Sequence, residues 1–161
     1  MSILSDQAAE KFVSGFNCAQ AAIWPFCDEI NLDSFTARNI ACGFGAGIAK
    51  HQDTCGAVTG GIMVIGMLVG TKGAQDRSTT EETYAMSNEF MARFEAAHGS
   101  CNCKQLLDGC DLGTEEGCQQ VKDRDLRNKT CKVCVQSAVE ILEQMMKEMP
   151  EETVEETGLA E

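Results

Sequence analysis

The chain has 161 residues, a formal net charge of −12 and a hydrophobic content of 43%. These values predict one soluble globular domain and argue against nucleic acid or anionic membranes as partners, because both repel so acidic a surface. The N-terminal residues contain no basic segment followed by an apolar one, so we expect no signal peptide and a cytoplasmic protein.

Start and stop signals predict four helices in the first half of the chain. The candidate N-caps of the first three are Ser5, Asn17, and either Asp33 or Ser34. Gly15 is expected to end the first helix, and Pro25 should bend or break the second because proline has no backbone N–H to donate. The glycines between 43 and 47 are expected to form a flexible connection to a fourth helix, which begins near Thr54.

The segment from Gly56 to Gly70 has no charged residue, and its 15 residues are too few to span a bilayer comfortably. We therefore expect a central core helix. Gly56 and Gly60 are four residues apart, as are Gly66 and Gly70, and small residues at this spacing let a neighbouring backbone approach closely. Cys55 opens this helix, where unpaired amide groups favour a thiolate.

Two overlapping capping boxes, Ser78 with Glu81 and Thr79 with Glu82, predict the start of a long helix that ends at His98. The remaining helical segments are predicted as one turn over 104–107, a helix from Thr114 toward Arg127, and a last helix over 131–149 that Thr130 caps and Pro150 stops.

Almost no alternating strand pattern occurs, so the fold should be all-α. We expect a single domain over residues 1–149, a bundle of about six or seven helices around the glycine-rich helix. Residues 70–76 are expected to form a loop, and residues 150–161 an acidic, disordered tail. Exposed hydrophobic surface on the last helix could support a homodimer.

Ten cysteines are the outstanding feature of the composition. In a reducing cytosol so many thiols suggest metal binding or redox chemistry more than a disulfide framework, although about half are expected to be small buried hydrophobes. Four of them lie at or near the ends of predicted helices, namely Cys18, Cys55, Cys103 and Cys131. Their wide spacings match no local metal motif.

Several segments together resemble the C_GCAxxG_C_C family of redox-active proteins. They are NCAQA at 17–21, GFGAG at 43–47, CGAVTGG at 55–61, HGSCNCKQLL at 98–107 and CKVCVQSAVEIL at 131–142. The resemblance covers residues 5–142 and implies a helical fold, a redox role, and Cys18, Cys55, Cys103 and Cys131 as the family cysteines. That family is related to the split-Soret cytochromes, whose similar cysteine set is associated with an iron–sulfur centre. Covalent haem is not expected, because a c-type haem needs CxxCH and here Cys134 is followed by Val135.

The first functional hypothesis is an iron–sulfur cluster held by the four family cysteines and serving electron transfer with a redox partner protein. The second is thiol–disulfide chemistry, either at Cys131-x-x-Cys134 near Lys129 and Lys132, or between Cys55 and another family cysteine. The third is a zinc or copper(I) site, for which Cys101, Cys103, Cys131 and Cys134 form a plausible ligand set.

Other residue types offer no competing site. No acid–base catalytic constellation, phosphate loop or basic patch is visible, so an enzymatic activity is neither indicated nor excluded. His51 is expected to be a solvated loop residue. His98 is expected to lie near a helix C-terminus, where the dipole favours a partly positive imidazole. The extra thiols leave the nuclearity of a cluster open, and no role is assigned to Cys27, Cys42, Cys110 or Cys118.

Overall fold

The computed structural model describes residues 1–70 and 77–150. Within these ranges the chain is helical, and its extended pairing is limited to one isolated antiparallel bridge between Thr54 and Asn102. The α-helices are α1 Ile3–Val13, α2 Cys18–Ile23, α3 Ser34–Ile40, α4 Gly56–Val69, α5 Arg77–His98, α6 Cys103–Leu106, α7 Glu115–Asp123 and α8 Lys132–Glu148. The all-α prediction is confirmed. The described residues form eight helices when the single-turn α6 is counted, against the six or seven expected.

Local capping explains where the first helices begin and end. The prediction of Ser5 as the N-cap of α1 was wrong: Ser2 is the cap, and its hydroxyl and that of Ser5 each accept the other's backbone N–H. Gly15, at a φ of 111°, follows the end of α1 as predicted. Asn17 caps α2 in a box with Gln20, as predicted for that residue.

Proline and aspartate set the next boundaries. Pro25 lies in the 3₁₀ turn Trp24–Phe26 that follows α2, so the α-helix ends before it, as expected. Asp33, the first of the two predicted candidates, caps α3 through a side-chain oxygen that accepts the Thr36 N–H. The loop predicted for 70–76 and the tail predicted for 150–161 lie outside the described residues, except for Gly70 and Pro150.

Helix α4 is the central helix and packs against α2, α5 and α8. A Cβ on Gly60 would stand 2.6 Å from the Ala19 carbonyl oxygen, which shows how closely the α2 backbone approaches. The predicted close-packing face is thus confirmed at Gly56 and Gly60. The prediction was wrong for Gly66 and Gly70, where a Cβ would meet nothing within 4 Å, so no neighbouring backbone approaches closely there.

Two predicted starts in the second half of the chain were wrong. Ser78 and Thr79 lie within α5, which already includes Arg77, so they do not precede the helix as capping residues. Thr130 lies inside a π-helical turn, Arg127–Cys131, that continues directly into α8, so this helix does not begin at a new N-cap. Thr114 caps α7 as predicted, by accepting the Gly117 N–H.

The glycine segment predicted as a flexible connection has a defined conformation. After the 3₁₀ turn Ala41–Phe44, residues 46–50 all have positive φ values between 50° and 70°, so they form a left-handed turn. Only one of the five is glycine, and each of the others costs about 1 kcal/mol in this conformation. Such strain persists only where the surrounding contacts over-determine it. No helix within the described residues is both long and apolar enough to cross a bilayer.

Candidate functional site

Two chain segments that each start a helix run antiparallel beside one another. The Cys55 N–H donates to the Cys101 carbonyl oxygen at 2.8 Å, and the Cys103 N–H donates to the Asp53 carbonyl oxygen at 2.7 Å. Cys55 is the N-cap of α4, and Cys103 is the first residue of α6. This short pairing therefore holds two of the predicted site cysteines at neighbouring helix N-termini.

Glycines bring the backbone close to two of the cysteines. A Cβ on Gly47 would stand 2.6 Å from the Cβ of Cys103, and a Cβ on Gly56 would stand 2.9 Å from the Cβ of Cys18. Any side chain at these positions would displace the cysteine or the backbone, so glycine is required at both because the cysteine lies so close. Cys18, the first residue of α2, thereby packs against the start of α4.

The side chains of Cys18 and Cys131 interact with one another. The interaction with Cys131, together with burial, raises the pKa of Cys18, and the interaction with Cys18 lowers the pKa of Cys131. The positive charge of Arg127 also lowers the pKa of Cys131.

A second interacting pair consists of Cys55 and Cys134. The interaction lowers the pKa of Cys55 and strongly raises that of Cys134. Backbone N–H groups of Ala57 and Val58, in the first turn of α4, lower the pKa of Cys55 further. The sequence-based expectation of a thiolate-favouring helix N-terminus at Cys55 agrees with these contacts.

The Cys103 side chain interacts electrostatically with members of both pairs. Burial raises its pKa to about 12, and the charges of Cys55 and Cys131 add to the effect. Cys103 also raises the pKa of Cys18 and Cys134 by its own charge. The structure thus brings together the four cysteines expected from the resemblance and adds Cys134, a member of the alternative zinc ligand set.

The other five cysteines have contacts of their own. The thiols of Cys27, Cys101 and Cys118 donate to the carbonyl oxygens of Ile23, Met91 and Leu112, respectively. Cys110 accepts a hydrogen bond from Arg124, and Cys42 is exposed. The pKa of Cys101 is raised mainly by burial, then by the charge of Glu95, and least by the charge of Cys55. All ten cysteines are free thiols.

His98 touches the site through Cys134. Its Nδ1 lies 3.9 Å from the Cys134 Sγ, its ring packs against Phe94 with 4.5 Å between centroids, and its Nε2 is buried without a hydrogen-bond partner. Burial lowers the pKa of His98. The expected partly positive imidazole was therefore wrong, because desolvation opposes the charge that the helix C-terminus favours. His51 is exposed, as predicted.

The thiols do not form a preformed metal cage. Within 1–70 and 77–150, no three His, Cys, Asp or Glu side chains stand in an arrangement that could hold a metal ion as they are. The donor set nevertheless suits an iron–sulfur cluster or a soft metal, because buried thiolates are the preferred ligands of both. Cys18, Cys55 and Cys103 come from three different helix starts and Cys131 from the turn before α8.

Comparison with protein families gives one match, and comparisons with curated proteins and with solved structures give none. The matching family model, described as "Putative redox-active protein (C_GCAxxG_C_C)", covers residues 16–145. This range contains all five converging cysteines and all the elements from α2 to most of α8. On this match the chain belongs to the C_GCAxxG_C_C family of redox-active proteins.

Proposed function

We propose that this redox-active protein holds an iron–sulfur cluster through Cys18, Cys55, Cys103 and Cys131 and exchanges electrons with a protein partner in the cytoplasm. The observation that carries the proposal is the electrostatic coupling of four cysteines from separated segments, of which Cys55 and Cys103 are buried and Cys18 and Cys131 half-buried. When bound, an iron–sulfur cluster supplies one-electron transfer at a potential that the surrounding protein tunes.

The chain's own groups support negative charge at this position. Helix α4, 14 residues long, points its N-terminus at Cys55, and Arg127 favours a thiolate at Cys131. Ala19 follows Cys18 directly, Ala57 and Val58 lie two and three residues after Cys55, and all three are fully excluded from water. These features would stabilise ligand thiolates and keep solvent from the sulfur atoms.

The test is anaerobic purification followed by a visible absorption spectrum, with iron, sulfide, zinc and copper measured in the same sample. We expect broad charge-transfer bands, together with iron and acid-labile sulfide. A colourless protein with stoichiometric zinc or copper would replace the proposal with a metal-handling role. A colourless protein that also fails reconstitution would reject a metal centre.

The second candidate function is thiol–disulfide exchange. Two interacting cysteine pairs, each with one lowered and one raised pKa, favour it, because one thiolate and one adjacent thiol are the reactants of disulfide chemistry. The zinc grouping that includes Cys101 gains no such support, since the Cys101 thiol donates to the Met91 carbonyl oxygen.

A further inference from the structure

The four cysteines of the candidate site are not equally covered by the protein. Cys55 and Cys103 are buried, whereas Cys18 and Cys131 are half-buried. The side of the site nearest to solvent is therefore that of Cys18 and Cys131. Because electron transfer between proteins slows steeply with distance, a redox partner has to approach this side.

Cations and aromatic rings form a continuous surface that begins beside Cys18. The Lys11 Nζ lies 4.0 Å from the centroid of the Trp24 ring and 5.6 Å from that of Phe16, and the Arg38 Cζ lies 5.4 Å from the Phe16 centroid. The two aromatic rings are half-buried and meet edge to face, with 5.2 Å between centroids. Phe16 is two residues before Cys18, so this group of side chains borders the site.

Arg127 extends the same surface to Cys131. Its Nη2 donates to the Phe12 carbonyl oxygen at 3.1 Å, and its Cζ lies 4.3 Å from the centroid of the Phe12 ring. Phe12 directly follows Lys11, and Arg127 begins the π-helical turn that ends at Cys131. We define the cationic surface as Lys11, Phe16, Trp24, Arg38 and Arg127.

The charges of the cationic surface are not neutralised by ion pairs. Within residues 1–70 and 77–150, Lys11, Arg38 and Arg127 form no ion pair, since the ion pairs there involve other cations. Aromatic faces hold the three side chains in place without cancelling their charge. The chain has 25 acidic and 13 basic residues, so this is a local positive region on an acidic protein.

We propose that the cationic surface docks an acidic one-electron carrier protein beside Cys18 and Cys131. The proposal rests on the electron-transfer function proposed above and specifies the charge of the partner and the place where it binds. A positive patch steers a negative partner toward it and raises the rate of encounter.

The acidic remainder of the protein helps to select and orient such a partner. With a net charge of −12, the chain repels an acidic carrier from the rest of its surface. At physiological salt, charges are screened beyond about 8 Å, so the cationic surface dominates for a compact partner that contacts it directly. A long polyanion such as nucleic acid, or an anionic bilayer, would also meet the acidic remainder.

The single tryptophan of the chain, Trp24, lies in the cationic surface and can report binding there by fluorescence. Metal-free full-length protein would be titrated at low and high salt with a plant-type [2Fe–2S] ferredoxin chosen for its negative net charge and lack of tryptophan. Calorimetry gives the Kd, and Trp24 emission, corrected for ferredoxin absorbance, locates the contact. The variants are Lys11→Glu and Arg38→Glu. Their control is Lys147→Glu, an equal charge change at an exposed residue in the last turn of α8.

We expect binding that weakens with salt and changes the Trp24 emission. Lys11→Glu and Arg38→Glu should each raise the Kd about three- to tenfold, whereas Lys147→Glu and the charge-conserving Arg38→Lys should match the wild type. No binding at low salt, or equal weakening by all three charge reversals, would overturn the proposal. Arg38→Glu alone decides if far-UV circular dichroism shows that Lys11→Glu does not fold.

The experiment separates the docking surface from the iron–sulfur function because it uses metal-free protein. If the ferredoxin binds as expected but no cluster can be reconstituted, the docking surface stands and the iron–sulfur function fails. If a cluster forms but the ferredoxin does not bind, the iron–sulfur function stands and the docking surface is rejected.

Discussion

Gly47 and Cys103 are in backbone-to-side-chain contact, so close that a Cβ on Gly47 would stand 2.6 Å from the Cys103 Cβ. Gly47 also has a φ of 65° within the left-handed turn. The left-handed turn thus lies directly against a site cysteine at Gly47.

Gly47→Ala should therefore destabilise the protein and displace Cys103. A left-handed alanine costs about 1 kcal/mol, and overpacking adds about 1–3 kcal/mol. Urea unfolding of the metal-free protein would measure the loss. Gly43→Ala is the matched control, because a Cβ there meets nothing within 4 Å and φ is not positive. Equal stability of the two variants would contradict the close contact between Gly47 and Cys103.

Two glycines of α4 should respond in opposite directions to alanine. Gly60→Ala drives a Cβ to 2.6 Å from the Ala19 carbonyl oxygen and should cost about 1–3 kcal/mol by forcing α2 and α4 apart. Gly66→Ala meets nothing within 4 Å in a helix interior and should stabilise by about 0.5–1 kcal/mol. Thermal unfolding of both variants tests this, and a loss of stability in Gly66→Ala would show that α4 is packed differently.

Gln52 joins the left-handed turn to the segment after α6. Its buried amide donates to the Cys110 carbonyl oxygen at 2.8 Å and accepts the Leu112 N–H at 2.7 Å. Gln52→Leu leaves both backbone groups without these partners and should cost about 1–3 kcal/mol. Denaturant unfolding would measure this loss of stability, with Gln119→Leu as the control. The exposed Gln119 amide donates only to Asp123 among the described contacts, so its replacement should change stability by about 0.5 kcal/mol or less. Similar losses in the two variants would refute the role of Gln52.

The metal-free protein should lose stability as the pH rises above 9. Cys103 has a folded-state pKa of about 12 against an ordinary value of 9.0. Between these values the unfolded chain has released the thiol proton while the folded chain still binds it, so stability falls with increasing pH. The raised pKa values of Cys18 and Cys134 act in the same direction.

Unfolding free energies at several alkaline pH values would measure this slope, with Cys103→Ser and the exposed-site Cys42→Ser as a pair. The slope should be shallower in Cys103→Ser and unchanged in Cys42→Ser. An identical slope in the two variants would mean that the Cys103 thiol is not held protonated in the folded protein.

The sequence was sufficient for the elements that depend on local chemistry. Asn17 and Thr114 were identified as N-caps, and Asp33 as one of two candidates, because their side-chain oxygens suit that position. Pro25 was identified as a helix breaker for an equally local reason. Thr130 was misassigned because a π-helical turn can continue into a helix without a cap, and composition carries no signal for it.

The site was partly accessible from the sequence. The resemblance supplied four cysteines, but which thiols pair depends on how α2, α4 and α8 pack, and no spacing along the chain records that. Cys134 was visible only as the second half of a CxxC motif, whereas in the structure it interacts with Cys55, which raises its pKa. The left-handed turn was hidden because four of its five residues are not glycine, and such residues rarely adopt the positive φ values found there.

The most direct test of the central claim is the iron and acid-labile sulfide content per chain after anaerobic reconstitution of the wild type and single Cys→Ser variants. Cys18→Ser, Cys55→Ser, Cys103→Ser and Cys131→Ser should each lose most of the iron and the visible bands, whereas Cys118→Ser and Cys42→Ser should match the wild type. Full iron and sulfide content in any two of the four site variants would contradict a cluster held by these four thiolates.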